Sequence, residues 1–221
     1  MAPTLFRIKI CGITNLADAC LAAEAGADAI GLNFYPGSPR CISKETARDI
    51  VEALPAHVAK VGVFVNMPVP DVARLVDGLQ LDWIQLHGDE PPEAIAELSP
   101  RRVIRALPCG QGALPRVVQY LERCAALSAL PAALLADAAA GAAYGGTGRT
   151  ANWDQLAPPR EWLATMSLVL AGGLTADNVA LAIAAVQPDA VDTASGVECL
   201  PGKKDRDRLC EFVAAARHAF A

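Results

Sequence analysis

Short apolar segments alternate with helix-like segments along almost the whole chain. The apolar segments are nearly continuous, which is typical of strands in a parallel sheet covered on both faces. Eight such strands are predicted, at residues 6–10, 29–33, 60–65, 83–86, 103–107, 133–137, 166–171 and 190–193. Strands that alternate with helices in this way indicate a parallel α/β fold.

Helix-start signals lie in several of the intervening segments. Asn15 is expected to cap a helix at 16–25 that ends at Gly26, and Ser43 precedes a helix that continues to Leu54. Further helices are expected at 68–79, after 175–178, within 153–163 and at 205–218.

The chain shows no internal division. No Gly/Ser-rich linker or shift in composition interrupts it, so residues 1–221 are predicted to form one domain. Eight strands, each followed by a helix, are typical of a closed (β/α)8 TIM barrel. An open doubly wound sheet is the alternative, because a count of elements does not establish closure. Both architectures bind ligands beyond the carboxyl ends of their strands, so the loops after strands are expected to carry the function.

Composition excludes several function classes. The formal net charge of −5 and the pI near 5.2 argue against a nucleic-acid partner, which would favour a basic face. The longest apolar runs are far shorter than the ~20 residues that span a bilayer. The first residues also lack the pattern of a secretory signal. The protein is therefore expected in the cytoplasm, with neither nucleic acid nor membrane as a partner.

The cysteines and histidines do not predict a metal site. Seven cysteines include no C-x-x-C pair, and the three histidines are far from finger-like spacing. Most of the cysteines are expected to be reduced residues that fill the core. Cys11 is the exception.

Two reactive side chains stand at the ends of predicted strands. Alternation along the first strand places Lys9 and Cys11 on one face and the neighbouring isoleucines on the other. If the isoleucines pack under helices, Cys11 faces the barrel mouth, where a thiol can act as a base or nucleophile. A packing role is the ordinary alternative for such a cysteine. Asp137 ends the sixth strand, where partial desolvation favours a general acid, although a cap of a helix or turn fits equally.

The loops after the second, seventh and eighth strands predict anion binding. Prolines and a glycine stiffen residues 33–40 and hold Arg40, whose guanidinium suits a planar carboxylate; a solvated surface arginine is the alternative. Gly-containing loops at 172–175 and 195–198 lie where eightfold barrels commonly bind phosphate. A further stretch at 145–148 either approaches a ligand or forms a flexible turn. Together these groups predict acid–base chemistry on a phosphosugar.

Seven segments carry a recognisable combination of motifs. In chain order they are KICGIT (9–14), GLNFYPGSPR (31–40), VGVFVN (61–66), QLHGDE (85–90), GGTGRTANW (145–153), AGGLT (171–175) and DTASGVE (192–198). Together they closely resemble the phosphoribosylanthranilate isomerase family of tryptophan biosynthesis. The chain departs from the family pattern at Ala151, at Asn152 and at Ala194, where serine is common.

The resemblance implies a (β/α)8 isomerase that converts N-(5-phosphoribosyl)anthranilate to 1-(2-carboxyphenylamino)-1-deoxyribulose 5-phosphate by an Amadori rearrangement. It implies that Asp137 is the general acid, which protonates the furanose ring oxygen. Cys11 is then the general base, which removes the proton from C2 of the sugar. Arg40 would hold the anthranilate carboxylate.

The resemblance also implies the remaining contacts of a small phosphosugar substrate. Backbone groups around Gly173, Ser195 and Gly196 would bind the ribose phosphate. His87 and Asp192 face the same mouth and are candidates for substrate contacts, with structural hydrogen bonding as the other role for His87. No redox or metal cofactor is needed, and the oligomeric state is left open.

Two competing hypotheses stand beside this interpretation. Another phosphate-binding barrel would need a lysine-centred site, as in indole-glycerol-phosphate synthase, or the strand-end His/Asp ligands of a metal-dependent pentose-phosphate epimerase. A non-catalytic protein that binds a phosphometabolite is the second hypothesis. The presence of both Cys11 and Asp137 argues against it.

Overall fold

The computed structural model describes residues 5–108, 112–137 and 166–221. Within these ranges, eight parallel strands form a closed barrel. The strands are β1 (Ile8–Cys11), β2 (Ala29–Asn33), β3 (Ala59–Phe64), β4 (Trp83–Leu86), β5 (Val103–Pro108), β6 (Ala133–Asp137), β7 (Ser167–Ala171) and β8 (Ala190–Thr193). They are the eight predicted strands, with ends displaced by at most two residues.

Pairing between β1 and β8 closes the barrel. The two strands are parallel, with Lys9 opposite Asp192 in the register. Every other strand pairs with its neighbour in chain order. The open doubly wound alternative is therefore wrong, because an open sheet would leave two strands as unpaired edges.

Helices and a small hairpin surround the barrel. Among the described residues, the helices are α1 (Leu16–Glu24), α2 (Lys44–Ala53), α3 (Val69–Leu79), α4 (Pro92–Leu98), α5 (Leu114–Ala126), α6 (Val179–Val186) and α7 (Arg206–Ala219). A 3₁₀ helix at Ser195–Val197 follows β8 and leads into the antiparallel hairpin β9 (Glu198–Leu200) and β10 (Lys203–Lys204). The helix predicted within 153–163 lies outside the described residues.

Side-chain caps explain where two helices begin. The side-chain oxygen of Asn15 accepts a hydrogen bond from the backbone N–H of Asp18, and the hydroxyl of Ser43 accepts one from Thr46. Both predicted caps are confirmed. Helix α6 begins differently, because the side chain of Asn178 turns back to the preceding loop instead of capping the helix.

Alternation along the strands divides the core into two layers. Ile8 and Ile10 belong to the large buried cluster shared with the helices, as the sequence predicts. Residues of the opposite phase fill the barrel with a separate cluster that includes Val61, Trp83 and Leu135. The buried polar side chains Lys9, Gln85, Asp137 and Asp192 share this inward phase. The barrel interior is therefore apolar in one part and polar where the strands end.

The cysteines depart from their predicted burial. All six in the described ranges are free thiols, as predicted, and Cys124 is buried. Cys41, Cys199 and Cys210 are exposed, so the expectation that they fill the core is wrong. A thiol is small and only moderately apolar, so its exposure costs little. Cys109 lies outside the described residues.

No helix in the described parts of the chain is long and apolar enough to cross a membrane.

Candidate active site

A cavity of about 320 Å³ opens at the carboxyl ends of the barrel strands. Seven of the eight predicted site residues line it: Cys11, Arg40, His87, Asp137, Gly173, Asp192 and Ser195. They come from the ends of six different strands or from the loops that follow them. Gly196 is the exception: it does not line the cavity and packs against the backbone of Leu174. Only barrel closure brings these residues together, since they are widely separated in the chain.

The thiol of Cys11 lies half-buried at the end of β1, near two ammonium groups and one carboxylate. Burial raises the pKa of this thiol, while the ammonium groups of Lys9 and Lys204 oppose the increase and the carboxylate of Asp192 adds to it. The pKa ends above its ordinary value, so the free protein holds Cys11 as a neutral thiol near neutral pH. The two lysines provide the charge that favours the thiolate when the proton leaves.

Lys9 is fully buried inside the barrel, and its ammonium nitrogen lies 2.8 Å from Oδ1 of Asp192. Burial alone would lower the pKa of Lys9, but the charge of Asp192, with a smaller contribution from Cys11, outweighs it and raises that pKa. Lys9 is therefore a permanent cation beside the thiol. A buried lysine without such a partner would be strongly destabilising.

Gly31 provides the space for this pair of groups. It lies opposite Cys11 in the register of β1 and β2. A β-carbon at this position would be 2.6 Å from the sulfur of Cys11 and 3.0 Å from the ammonium nitrogen of Lys9. Any side chain at residue 31 would displace the sulfur of Cys11, because 2.6 Å is far below van der Waals contact, and it would crowd the ammonium group of Lys9.

Asp137 is buried at the end of β6, where His87 connects it to Gln85. The amide nitrogen of Gln85 lies 2.9 Å from Nδ1 of His87, and Nε2 of the same ring lies 3.3 Å from Oδ2 of Asp137. When the amide donates to Nδ1, the ring proton is on Nε2 and is donated to the carboxylate. His87 therefore makes the structural hydrogen bonds proposed for it and also lines the cavity.

Arg40 is held against the cavity by a carboxylate. Its Nε lies 2.9 Å from Oε1 of Glu198, and its NH2 nitrogen lies 2.6 Å from Oε2. Hydrogen bonding to Glu198 raises the pKa of Arg40 above its ordinary value. The alternative of a solvated surface arginine is therefore wrong.

The loop after β7 adopts a backbone that glycine favours. Gly172 and Gly173 have φ values of 99° and 68°, in the left-handed region. The side chain of Asn178 ties this loop down, because its amide donates to the carbonyl of Gly173 and its oxygen accepts from the N–H of Thr175. These two hydrogen bonds hold the loop in this conformation without a ligand.

The loop after β8 packs directly on the loop after β7. The hydroxyl of Thr193 donates to the carbonyl of Leu174 at 2.8 Å. A β-carbon on Gly196 would overlap that carbonyl oxygen, so residue 196 must be glycine for the loops to meet. Ser195 begins the 3₁₀ helix beside them. The N-terminal end of a helix beside glycine backbone is a favourable place for a phosphate group.

Comparison with known proteins identifies the family of the chain. The family model for N-(5'phosphoribosyl)anthranilate (PRA) isomerase matches residues 8–215. The chain belongs to this family. The isomerase of Pelobacter propionicus is 44% identical over 214 residues, which are 96% of both chains. That of Geobacter metallireducens is 45% identical over 96% of this chain and 100% of its own.

Solved structures of the PRA isomerase family have the same fold. The enzyme from Thermotoga maritima superposes with a TM-score of 0.85 at 40% identity and covers 97% of this chain and 100% of its own. A phosphoribosyl anthranilate isomerase in complex with reduced 1-(o-carboxyphenylamino)-1-deoxyribulose 5-phosphate has a TM-score of 0.82 at 40% identity, with the same coverage. The sequence-based prediction of the family and of the TIM barrel is confirmed.

The sequence did not predict a role in the site for several polar residues that lie in or near it: Lys9, Gln85, Asn178, Glu198 and Lys204. Lys9 carried a usable signal, because alternation turns it into the barrel, where a lysine requires an anionic partner. Glu198 stands in a recognised motif but could be given no partner from sequence. Lys204 follows another lysine and is indistinguishable by pattern from a solvated surface residue.

Proposed function

We propose that the chain isomerises N-(5'-phosphoribosyl)anthranilate to 1-(2-carboxyphenylamino)-1-deoxyribulose 5-phosphate, a step of tryptophan biosynthesis. Membership of the isomerase family supports the reaction. The observation that carries the mechanism is that Cys11 and Asp137 line one cavity together with Arg40 and the two glycine loops. The cytoplasmic location is part of this proposal and rests on the sequence alone.

The substrate is held at its two charged ends. The ribose phosphate lies against the backbone of Gly173 and Ser195, and the anthranilate carboxylate faces Arg40. The structure of a relative with the reduced product analogue supports a cavity of this kind in the fold. Because both ends are fixed, the ribose lies between Asp137 and Cys11. The reacting atoms are therefore already oriented toward the acid and the base.

The chemistry is a sequence of proton transfers, of which Asp137 and Cys11 carry out the first two. Asp137 donates a proton to the furanose ring oxygen, so the C1–O bond breaks and a Schiff base forms between C1 and the anthranilate nitrogen. The thiolate of Cys11 then removes the proton from C2. The resulting enolamine takes up a proton at C1 and loses the proton of its 2-hydroxyl group, so C2 becomes the carbonyl carbon of the 1-amino-1-deoxyketose. Each positioned proton transfer contributes ~10²–10⁴-fold to the rate.

The neighbours of both groups support these roles. Lys9 and Lys204 place positive charge near the sulfur, which favours the thiolate that C2 deprotonation requires. The ring of His87 is hydrogen-bonded to Asp137 and holds its carboxyl group in place beside the cavity. Residues of this chain therefore supply both the charge near the sulfur and the hydrogen bond to Asp137.

The experiment follows the fluorescence of phosphoribosylanthranilate, generated in situ, after addition of the protein under reducing conditions. We expect the wild-type protein to remove this fluorescence catalytically. Cys11→Ser and Asp137→Asn should each lower kcat by ~10²–10⁴-fold while the far-ultraviolet circular dichroism is retained.

Matched controls use the same residue types away from the cavity. Cys210→Ser changes an exposed thiol on α7, and Asp71→Asn changes an exposed carboxylate on α3. Both should keep the wild-type rate. A wild-type protein without turnover would contradict the reaction and favour a binding protein. Full activity of both cavity variants would instead contradict only the mechanism.

A further inference from the structure

Glu198 forms a bidentate ion pair with one edge of the Arg40 guanidinium. The bonds run from Nε to Oε1 at 2.9 Å and from NH2 to Oε2 at 2.6 Å. A guanidinium presents two edges that match a carboxylate, one formed by Nε with one terminal nitrogen and one formed by both terminal nitrogens. Glu198 occupies the first edge. NH1 of Arg40 has no hydrogen-bond partner among the described residues, so the second edge is available.

The aliphatic stem of Arg40 is fixed as well. It lies over Gly12, where a β-carbon would overlap Cδ of Arg40, and Gly12 has a φ of 71°. The Arg40 side chain is only 12% exposed although it lines the cavity. Stem and head are both held, so the guanidinium has little freedom to turn.

Glu198 is itself anchored by Lys204. The fully buried ammonium group of Lys204 lies 2.9 Å from Oε1 of Glu198 and donates to the backbone carbonyls of Cys11 and Ala194. Its three protons therefore have three acceptors. Lys204 therefore joins three parts of the site into one hydrogen-bonded unit. It contacts β1 at the carbonyl of Cys11, the segment after β8 at the carbonyl of Ala194, and the carboxylate of Glu198.

The charges of this unit do not cancel. One carboxylate, that of Glu198, stands between two cations, Arg40 and Lys204. Burial by itself would raise the pKa of Glu198, but the two cations hold that pKa below its ordinary value, so Glu198 is ionised. One positive charge is left over, and it is Arg40, not Lys204, that lines the cavity.

We propose that Glu198 is a positioning residue, which holds Arg40 so that its second edge accepts the carboxylate of an aromatic acid bidentately. The inference rests on the proposed function. In this arrangement Glu198 makes no contact with the substrate. It acts on affinity and specificity by keeping the guanidinium oriented, and Lys204 prevents Glu198 from neutralising Arg40 completely.

The experiment compares two ligands by isothermal titration calorimetry. One is reduced 1-(o-carboxyphenylamino)-1-deoxyribulose 5-phosphate, and the other is the same compound with an unsubstituted phenyl ring. Glu198→Gln should weaken binding of the carboxylate ligand by about tenfold or more, because an oriented charged pair is lost. Binding of the phenyl ligand should change by less than about twofold.

Arg40→Leu is the reference variant, because it removes the guanidinium itself. Glu93→Gln is the matched control, because Glu93 forms an ion pair with Arg123 on the surface. The double variant Arg40→Leu/Glu198→Gln should bind both ligands as Arg40→Leu does. With the natural substrate, Glu198→Gln should raise KM more than it lowers kcat. Glu93→Gln should leave both constants unchanged.

An equal loss for both ligands in Glu198→Gln would overturn the proposal, because a merely structural role does not distinguish them. Selective loss in Arg40→Leu but not in Glu198→Gln would also overturn it. No selectivity in either variant would refute the carboxylate site and this inference together, while wild-type turnover would still support the proposed reaction. If Glu198→Gln does not fold, Glu198→Asp keeps the charge but retracts it from Arg40. It should give a smaller loss confined to the carboxylate ligand.

Discussion

The ammonium nitrogen of Lys9 lies 2.8 Å from Oδ1 of Asp192, inside the barrel and across the seam between its first and last strands. The lysine side chain is 0% exposed and that of the aspartate 8%. The pair therefore contributes to barrel closure and also places a fixed cation beside the thiol of Cys11.

Removal of one member of this pair should be strongly destabilising. Lys9→Met leaves the Asp192 carboxylate buried without a counter-charge, and we expect a loss of about 3–5 kcal/mol in the free energy of unfolding, measured with urea. Lys9→Met/Asp192→Asn should recover part of the loss, because no charge is left unpaired. As a control, Arg74→Met removes an exposed ion pair with Asp71 and should cost about 1 kcal/mol or less. Equal losses for Lys9→Met and Arg74→Met would disprove this account.

Gly31→Ala should damage activity more than stability. The new methyl group would press on the sulfur of Cys11 and the ammonium group of Lys9, and a displaced base typically costs ~10²-fold in rate. Gly78→Ala is the matched control, because nothing lies within 4 Å of the added atom in α3. It should stabilise the helix by up to about 1 kcal/mol without changing kcat. An active Gly31→Ala protein would show that the thiol need not occupy its present place.

The Cys11 thiol should lose its proton only in alkaline solution. Since burial raises its pKa, the group carries its proton at neutral pH and loses it as the pH rises through that pKa. The ultraviolet thiolate absorbance, taken as wild type minus Cys11→Ser, should therefore grow from neutral into alkaline solution. The mechanism also requires Asp137 in its protonated form, so kcat/KM should not rise in proportion to this absorbance. A thiolate absorbance that is already complete at neutral pH would contradict a thiol with a raised pKa.

Asn178→Ala should weaken phosphate binding. The variant releases the carbonyl of Gly173 and the N–H of Thr175, so the loop loses its preformed shape. We expect KM to increase by roughly tenfold, since each lost hydrogen bond costs about 1 kcal/mol. Ser43→Ala removes a comparable side-chain bond at the start of α2, and it should lower stability while KM is unchanged. Similar KM values for the two variants would contradict a role for Asn178 in the loop.

Local pattern was sufficient for much of this protein. Strand positions and the inward face of Cys11 follow from the period of two along a strand, which acts within one element. The caps at Asn15 and Ser43 follow from side-chain oxygens that accept a hydrogen bond at the start of a helix. The sequence also showed which residues directly follow a predicted strand. For that reason seven of the eight predicted site residues line the cavity.

Barrel closure, and the contacts that depend on it, could be decided only by the tertiary structure. Lys9 and Asp192 are 183 positions apart, and Arg40 and Glu198 are 158 apart. The sequence marked each as polar and well placed, yet it could not state which cation would meet which anion. Ion pairing requires an approach of a few ångströms, and over such sequence separations that approach is set by the folded barrel and not by any local pattern.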